Sequence, residues 1–299
     1  MKIGIALPLA ETDDGRQSSY AEIRALAQQA DASGYDSIWV FDHLLFRYPE
    51  KPTRGIWEAW TVLAGLAEAT SKVELGTLVL CVPFRNPALL AKMAETLDEM
   101  SGGRLILGIG AGWHEPEFDA FGFPFDHLAS RFQDAVEIIH PLLTTGAVDV
   151  GGDWSQARNA VLRPRGPRPA GLPLLIAGSK PRMLRLTARY ADAWNTCWLG
   201  LPTLLGERRA ALDAACAEVG RDPAAIATTV GIAVAYPDLD PTITDIDNPD
   251  LVLTGSPREI AAGLAAHAAA GVAHVMVLLS PNTPEALARL TEAVRLFRA

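Results

Sequence analysis

The sequence predicts an α/β fold, a TIM-type (β/α)8 barrel with insertions at its C-terminal face, as a single domain over residues 1–299. Three observations predict it. Eight extended runs, at residues 2–7, 37–41, 73–80, 104–109, 174–177, 193–197, 227–235 and 274–279, each precede a helical pattern. The runs are almost wholly apolar, as strands buried on both faces must be. Three of them, SIWVFDH ending at His43, LILGIGAGW ending at Trp113 and PLLIAGSKPR ending at Arg182, stop abruptly in imidazole, glycine or charge. Strands that empty into active-site loops end this way.

The elements follow in order. The first helix opens with a capping box, Ser19 with Glu22, carries an apolar stripe at Tyr20, Ile23, Leu26, Ala27 and Ala30, and stops at Gly34. The fourth buries Leu128, Phe132, Ala135, Val136 and Ile139 at helical spacing. The seventh repeats the capping logic with Ser256, Pro257 and Glu259, and the last buries Leu287, Leu290, Val294 and Phe297 behind Thr283 and Pro284. Right-handed crossovers joining eight parallel strands favour closure into a barrel. A doubly wound open sheet is the alternative, and against it the turn after strand one reads PLAETDDGRQ, with no G-x-G-x-x-G. Two excursions interrupt the repeat: residues 146–171, with RPRGPRP and Trp154, and residues 236–254, with Asp238, Asp240, Asp245, Asp247 and Asp250. Long loops near a barrel mouth are lids or solvated connectors.

Composition narrows the function. With 26 basic and 35 acidic residues the net charge is −9, and no dense Lys/Arg stretch occurs, which disfavours nucleic acid and leaves a small-molecule substrate. No apolar run approaches a membrane span and the start is unlike a secretory signal, so a cytoplasmic protein without a membrane partner is expected. Cys81, Cys197 and Cys216 form no C-x-x-C, so they suggest packing and neither disulfides nor a metal site.

The candidate chemistry lies at the strand ends. Asp42 and His43 follow strand two, where a barrel would turn both toward the pocket. His43 would donate or accept a proton with a carboxylate orienting it, or the pair would merely cap a loop. Gly108, Gly110 and Gly112 leave room for a flat ring, or for a tight barrel interior. Gly178, Ser179 and Lys180 open a helix at Pro181 and offer an anion seat, to which Arg182 and Arg185 add positive charge. Trp113, Trp154, Trp194 and Trp198 would line an apolar pocket or pack the barrel, with packing expected for Trp194.

The segments GYDSIWVFDH, ELGTLVLCVPFRNPALLAK, LDEMSGGRLILGIGAGWHEPEF, PLLIAGSKPRMLRLTARYADAWN and TGSPREIAAGLAAHAAAGV occur in order. Together the chain resembles the luciferase-like monooxygenase superfamily end to end, and D-H after strand two resembles its F420-dependent branch. The resemblance implies a ring cofactor over the strand ends with its phosphate at the strand-five glycines. It implies a nonprolyl cis peptide between Leu78 and Val79, backing the ring. Ala111 and Gly112 match the backbone bordering the cofactor, Gly178 and Ser179 the phosphate loop, and Asp42 and His43 the pair beside the reactive ring face.

F420-dependent sugar-phosphate dehydrogenases resemble the chain less well, because Arg47 and Trp113 stand where they carry an aromatic and a glutamate. Glu115 would be a proton relay or a surface residue. The expected function is coenzyme F420-dependent hydride transfer to or from a small organic substrate, with His43 as proton donor or acceptor. In that reading the strand-four loop and residues 146–171 close the pocket. Arg47, Lys51, Arg54, Lys180, Arg182 and Arg185 would offer a basic mouth to the polyglutamate tail of F420, which the acidic excursion would oppose. Two alternatives stand beside it: a reduced-FMN monooxygenase served by a flavin reductase, and a non-catalytic flavin-binding protein. Relatives of this kind are often dimeric, so a homodimer is expected, with the apolar helices at residues 57–69 and 86–101 as candidate interface.

Overall fold

The computed structural model describes residues 1–168, 170–241 and 248–299. Eight strands form the barrel: β1 (Lys2–Ala6), β2 (Ser37–Val40), β3 (Glu74–Thr77), β4 (Leu105–Gly110), β5 (Leu174–Ala177), β6 (Ala193–Leu199), β7 (Ala227–Ala235) and β8 (His274–Ser280). Each pairs in parallel with its sequence neighbour, and the ring closes where β8 meets β1, Lys2 opposite His274. The closed parallel barrel is therefore present, and the open sheet is excluded.

Two residue sets follow from strand alternation. Ile3, Ile5, Val275 and Val277 belong to the large core that the surrounding helices cover. Trp39, Leu78, Ile106, Leu175 and Met276 form a separate cluster. Trp39 is fully buried, and the neighbouring strands make room for it: a β-carbon on Gly4 or Gly76 would lie 2.5 Å or 2.1 Å from its ring atoms. The indole N–H donates to Ser37 Oγ at 2.7 Å, and that hydroxyl lies 2.7 Å from His274 Nε2.

The helices are α1 (Tyr20–Ser33), α2 (Ala59–Ala69), α3 (Pro87–Met100), α4 (Glu115–Phe121), α5 (Leu128–Thr145), α6 (Pro181–Tyr190), α7 (Leu205–Val219), α8 (Pro257–Ala269) and α9 (Pro284–Arg298). Both capping boxes form, at Ser19 with Glu22 and at Ser256 with Glu259. Tyr20 departs from its expected place in the buried stripe of α1. It is 41 % exposed and lies across Gly65 of α2, where a β-carbon would come 2.4 Å from its hydroxyl. Among the described residues no helix is long and apolar enough to cross a membrane, and no cluster of His, Cys, Asp and Glu could hold a metal.

Residues 146–171 fold otherwise than expected. Ala147–Gly151 and Gln156–Val161 form an antiparallel hairpin beside α5, and Asp134 of α5 accepts the backbone N–H of Trp154 at its tip. The arginines beyond it are structural. Arg165 pairs with buried Glu95, and Arg168 pairs with buried Asp98 and donates to the Leu105 carbonyl at the start of β4. That contact places residues 163–168 at the N-terminal side of the barrel, away from the strand ends, so this part of the excursion cannot close the mouth. In the acidic excursion Asp238 pairs with Arg289 and Asp250 accepts from Thr203, while Asp245 and Asp247 lie outside the described residues.

Candidate active site

The end of β2 separates Asp42 from His43. The expectation that both face the pocket fails for Asp42, because successive residues of an extended chain project to opposite sides. Asp42 is 3 % exposed and its carboxylate is fully engaged: Arg85 Nη1 and Nη2 donate to its two oxygens at 2.5 and 3.0 Å, and the Cys81 N–H donates at 2.8 Å. Burial pushes this carboxyl up, and the Arg85 guanidinium pulls it back toward the ionised form. Arg85 also pairs with Glu58, which caps α2 through the N–H groups of Trp60 and Thr61. One buried guanidinium thus ties the end of β2, the chain beyond β3 and the start of α2 together.

His43 turns the other way, into a ring-lined rim. Its imidazole lies 4.6 Å from the Phe46 ring and 5.4 Å from Trp113, both between centroids, with Trp113 edge-on and 60 % exposed. Its Nδ1 is 2.8 Å from Glu117 Oε1, and Glu117 Oε2 accepts the Leu44 N–H at 2.7 Å. The carboxylate partner is therefore Glu117, not Asp42. Glu115, the residue weighed as a relay, is exposed two positions earlier on α4. His114 is buried beside the pair and its Nε2 accepts the Arg47 N–H, with burial holding its imidazole below the usual range.

Below the rim the chain beyond β3 forms the expected bulge. The Leu78–Val79 peptide is cis, Leu78 N–H donates to the Val40 carbonyl, and Leu80–Cys81 resumes pairing with Ile109 and Gly110 of β4. Ala111 is half-buried at the end of β4. Gly112 takes φ +83°, and a β-carbon there would meet Phe118 at 2.6 Å and Cys81 Sγ at 2.7 Å, so both conformation and space demand glycine. Burial pushes the Cys81 thiol up, consistent with a packing role. A second nonprolyl cis peptide joins Cys197 to Trp198 at the end of β6, where Trp198 is 44 % exposed. Trp194 is buried and donates its indole N–H to the Gly178 carbonyl, as packing would have it.

A ring cofactor with a phosphate fits these residues. Val79, Ala111, Trp113 and Trp198 supply apolar surface at or near the ends of β3, β4 and β6, all at the same face of the barrel. For the phosphate, Ser179 and Lys180 are exposed after β5, and no side chain caps the N-terminus of α6. α1, α2, α3, α8 and α9 have a capping side chain, whereas α4, α5 and α7, like α6, have none. An open helix N-terminus directs unsatisfied N–H groups toward an anion. Trp154 is stacked on His127 and covered by the Arg131 guanidinium, and it lines a cavity with Val82, Phe84 and Arg85 of the chain beyond β3.

The residues missing from the expectation are Glu117, Arg85, Glu58 and His114. Only Glu117 left a trace, as the P-E-F of a short helix whose Phe118 must be buried, which turns the adjoining face of that helix inward. Arg85 and Glu58 pair across 27 positions and carry no local signal.

Comparison with known proteins adds four relationships to this geometry. A family model described as luciferase-like monooxygenase matches residues 1–241. The chain is 33 % identical over 257 residues to the phthiodiolone/phenolphthiodiolone dimycocerosates ketoreductase of Mycobacterium sp. (strain JLS), covering 78 % of this chain and 64 % of that protein. It is 32 % identical over 254 residues to pyrimidine monooxygenase RutA of Methylobacterium radiotolerans, with the same two coverages. The chain thus spans just under two thirds of the length of these curated relatives. Among solved structures, an F420-dependent secondary alcohol dehydrogenase in complex with an F420-acetone adduct superposes with a TM-score of 0.81 at 21 % identity. That match covers 100 % of this chain and 99 % of the other and shares its fold.

Proposed function

The chain belongs to the luciferase-like monooxygenase family, and from that premise we propose that it is an oxidoreductase that holds a flavin-type ring, FMN or the deazaflavin F420, and acts on a small organic substrate. The observation that carries this reading is the single face on which His43, the Val79 bulge, Ala111, exposed Trp113 and the uncapped start of α6 converge. A ring of this kind supplies either a hydride or, as reduced FMN, activation of oxygen. Val79 and Ala111 would back it, with Leu78 beneath in the interior cluster and Gly112 keeping the β4 loop close. Gly178, Ser179 and Lys180 would hold its phosphate with the first N–H groups of α6. Asp42 acts from behind, fixing the bulge through Cys81 and Arg85. His43 Nε2 makes no hydrogen bond among the described residues, and it is the atom that would give a proton to the substrate or take one from it. Trp113 and Phe46 exclude water around that exchange.

Between the two cofactors, reduced FMN with oxygen is the reading best supported. The basic mouth expected to hold a polyglutamate tail is partly answered by the chain itself: Lys51 and Arg54 share Asp13 and Arg185 reaches Glu218, while Arg182 is held by the neutral Ser130 and Gln133. Exposed pairs are individually worth about 1 kcal/mol or less, but the Asp13 and Glu218 carboxylates reduce the local positive charge that would draw in a polyanion. The 32 % identity to a pyrimidine monooxygenase points the same way. Hydride transfer with F420 is the second reading, favoured by the 33 % identity to a ketoreductase.

Fluorescence titration of the purified protein with FMN and F420, each oxidised and reduced and at two salt concentrations, tests both. Preference for reduced FMN with little salt dependence supports the monooxygenase reading. Salt-sensitive, selective F420 binding replaces it with hydride transfer, and binding of neither rejects the proposal. With the bound cofactor identified, His43→Ala is expected to lower turnover about 10²-fold or more while leaving cofactor affinity within a few-fold. Unchanged turnover would remove His43 from the chemistry.

A further inference from the structure

We infer that Glu117 is the positioning residue that selects which nitrogen of His43 exchanges the proton in the reaction proposed above, on which this inference rests. The argument starts from donors and acceptors. Glu117 Oε2 accepts the Leu44 N–H at 2.7 Å, and Oε1 lies 2.8 Å from His43 Nδ1. An ionised carboxylate can only accept, so the proton of the short contact sits on Nδ1. Neutral His43 is then the Nδ1–H tautomer, and its free lone pair is on Nε2, beside Trp113 and Phe46.

The neighbourhood leaves this role to Glu117. Asp42, next in the chain, is consumed by Arg85 and the Cys81 N–H. Arg85 is shared between Asp42 and Glu58. His114 packs 6.3 Å from the His43 ring and uses its Nε2 to accept from the Arg47 N–H. The Arg47 side chain turns to Thr53, and Arg54 sits over the far ring of Phe46 while paired with Asp13. Among the described residues no other carboxylate hydrogen-bonds His43.

Two consequences follow when His43 gains a proton. The contact becomes an ion pair, and because Glu117 is only 1 % exposed, little water screens it. The same carboxylate therefore holds the ring in one orientation in both protonation states. Glu117 is itself held firmly, since the adjacent Phe118 wedges between Phe84 and Phe125 at ring distances of 4.9 and 5.0 Å.

Glu117→Gln inverts the logic with almost no change of shape. The amide oxygen must accept the Leu44 N–H, which turns the NH2 toward His43 and makes Nδ1 an acceptor, moving the ring proton to Nε2. The test is a long-range 1H–15N spectrum of the 15N-labelled protein without cofactor, resolving the 6 histidines, with His43→Gln assigning the relevant pair of signals. Wild type is expected to show Nδ1–H with bare Nε2 near neutral pH. Glu117→Gln is expected to show Nε2–H with a bare Nδ1. In turnover assays kcat should fall about 10²-fold with KM within threefold. A wild-type ring carrying Nε2–H overturns the inference, even if the variant fails to fold. So does a variant that folds with its tautomer unchanged. The spectrum needs no cofactor, so a correct tautomer in a protein that binds neither ring would reject the proposed function and leave the Glu117–His43 assignment standing.

Discussion

Val79 fills the space that a side chain on Gly110 would occupy. A β-carbon built at position 110 would lie 2.8 Å from Val79 Cγ2, and one at Gly108 would lie 1.9 Å from the Thr77 carbonyl oxygen. The alternating glycines of β4 make room for the bulge beyond β3, and only through that bulge for a ring. The two positions should therefore respond differently. Gly110→Ala presses on a single methyl and is expected to cost about 1–3 kcal/mol by overpacking, a loss that Val79→Ala in the same chain should partly recover. Gly108→Ala meets backbone, at a residue whose N–H and carbonyl are both bonded to Thr77 Oγ1, and should yield little folded protein. Urea unfolding of the single and double variants measures the coupling, and strictly additive losses would contradict it.

Removal of Arg85 should be costlier than its partial exposure suggests. Arg85→Met leaves the Asp42 carboxylate buried with only the Cys81 N–H for company, and breaking a buried pair in this way costs about 3–5 kcal/mol. The double variant Asp42→Asn with Arg85→Met removes the stranded charge, so it should be more stable than Arg85→Met alone. Equal stability of the two would mean that the Asp42 charge is not the source of the loss.

Much of this was legible in the sequence, and the limits are instructive. The strands, the two capping boxes and the Gly34 stop follow from local patterns that any fold must obey, and His43 was marked by its place at a strand end. Asp42 was misplaced because the D-H motif joins adjacent residues, whereas an extended chain sends neighbours to opposite sides. The orienting carboxylate was sought next door in Asp42, and it came from Glu117, 74 positions from His43 in the chain. Pairings of that range depend on how the β4 loop packs over β2, which periodicity does not encode. The Arg/Pro-rich stretch was misjudged for a related reason: its partners, Glu95 and Asp98, lie on a helix whose inward face a charge pattern alone does not reveal.

Acid should loosen the barrel through His274. Burial beneath Trp39, with Lys2 and the chain amino group nearby, pushes this imidazole down to about 3. Ser37 Oγ accepts the Trp39 indole N–H and lies 2.7 Å from His274 Nε2, an arrangement in which the neutral imidazole can accept the hydroxyl proton. The unfolded chain binds a proton near pH 6.5 and the folded one does not, so stability is full above about pH 6.5 and falls as pH drops toward 3. The slope from this one group is about 1.4 kcal/mol per pH unit, or about 2 kcal/mol between pH 6.5 and 5. His274→Gln keeps an acceptor but cannot titrate. Its stability, whatever its absolute value, should fall less steeply over this range than that of wild type, and parallel pH profiles in chemical denaturation would refute the assignment.

Two of the four tryptophans weighed as pocket walls, Trp113 and Trp154, should separate cleanly. Trp113 stands 60 % exposed and edge-on to His43, so Trp113→Ala removes little buried surface and is expected to change stability by about 1 kcal/mol or less. Its loss should instead weaken capture of apolar substrates and admit water beside His43, raising KM and lowering kcat together. Trp154 lies 4.7 Å from the stacked His127 ring with the Arg131 guanidinium 4.3 Å above it, and its backbone is held by Asp134. Trp154→Ala forfeits those contacts, worth about 1–3 kcal/mol together, and leaves cofactor affinity unchanged because the hairpin tip is pinned to the outside of α5. Thermal unfolding and cofactor titration of the two variants check both halves. Normal stability with lost cofactor affinity in Trp154→Ala would instead make the hairpin a cover for the site, working through motion that its clasp on α5 argues against.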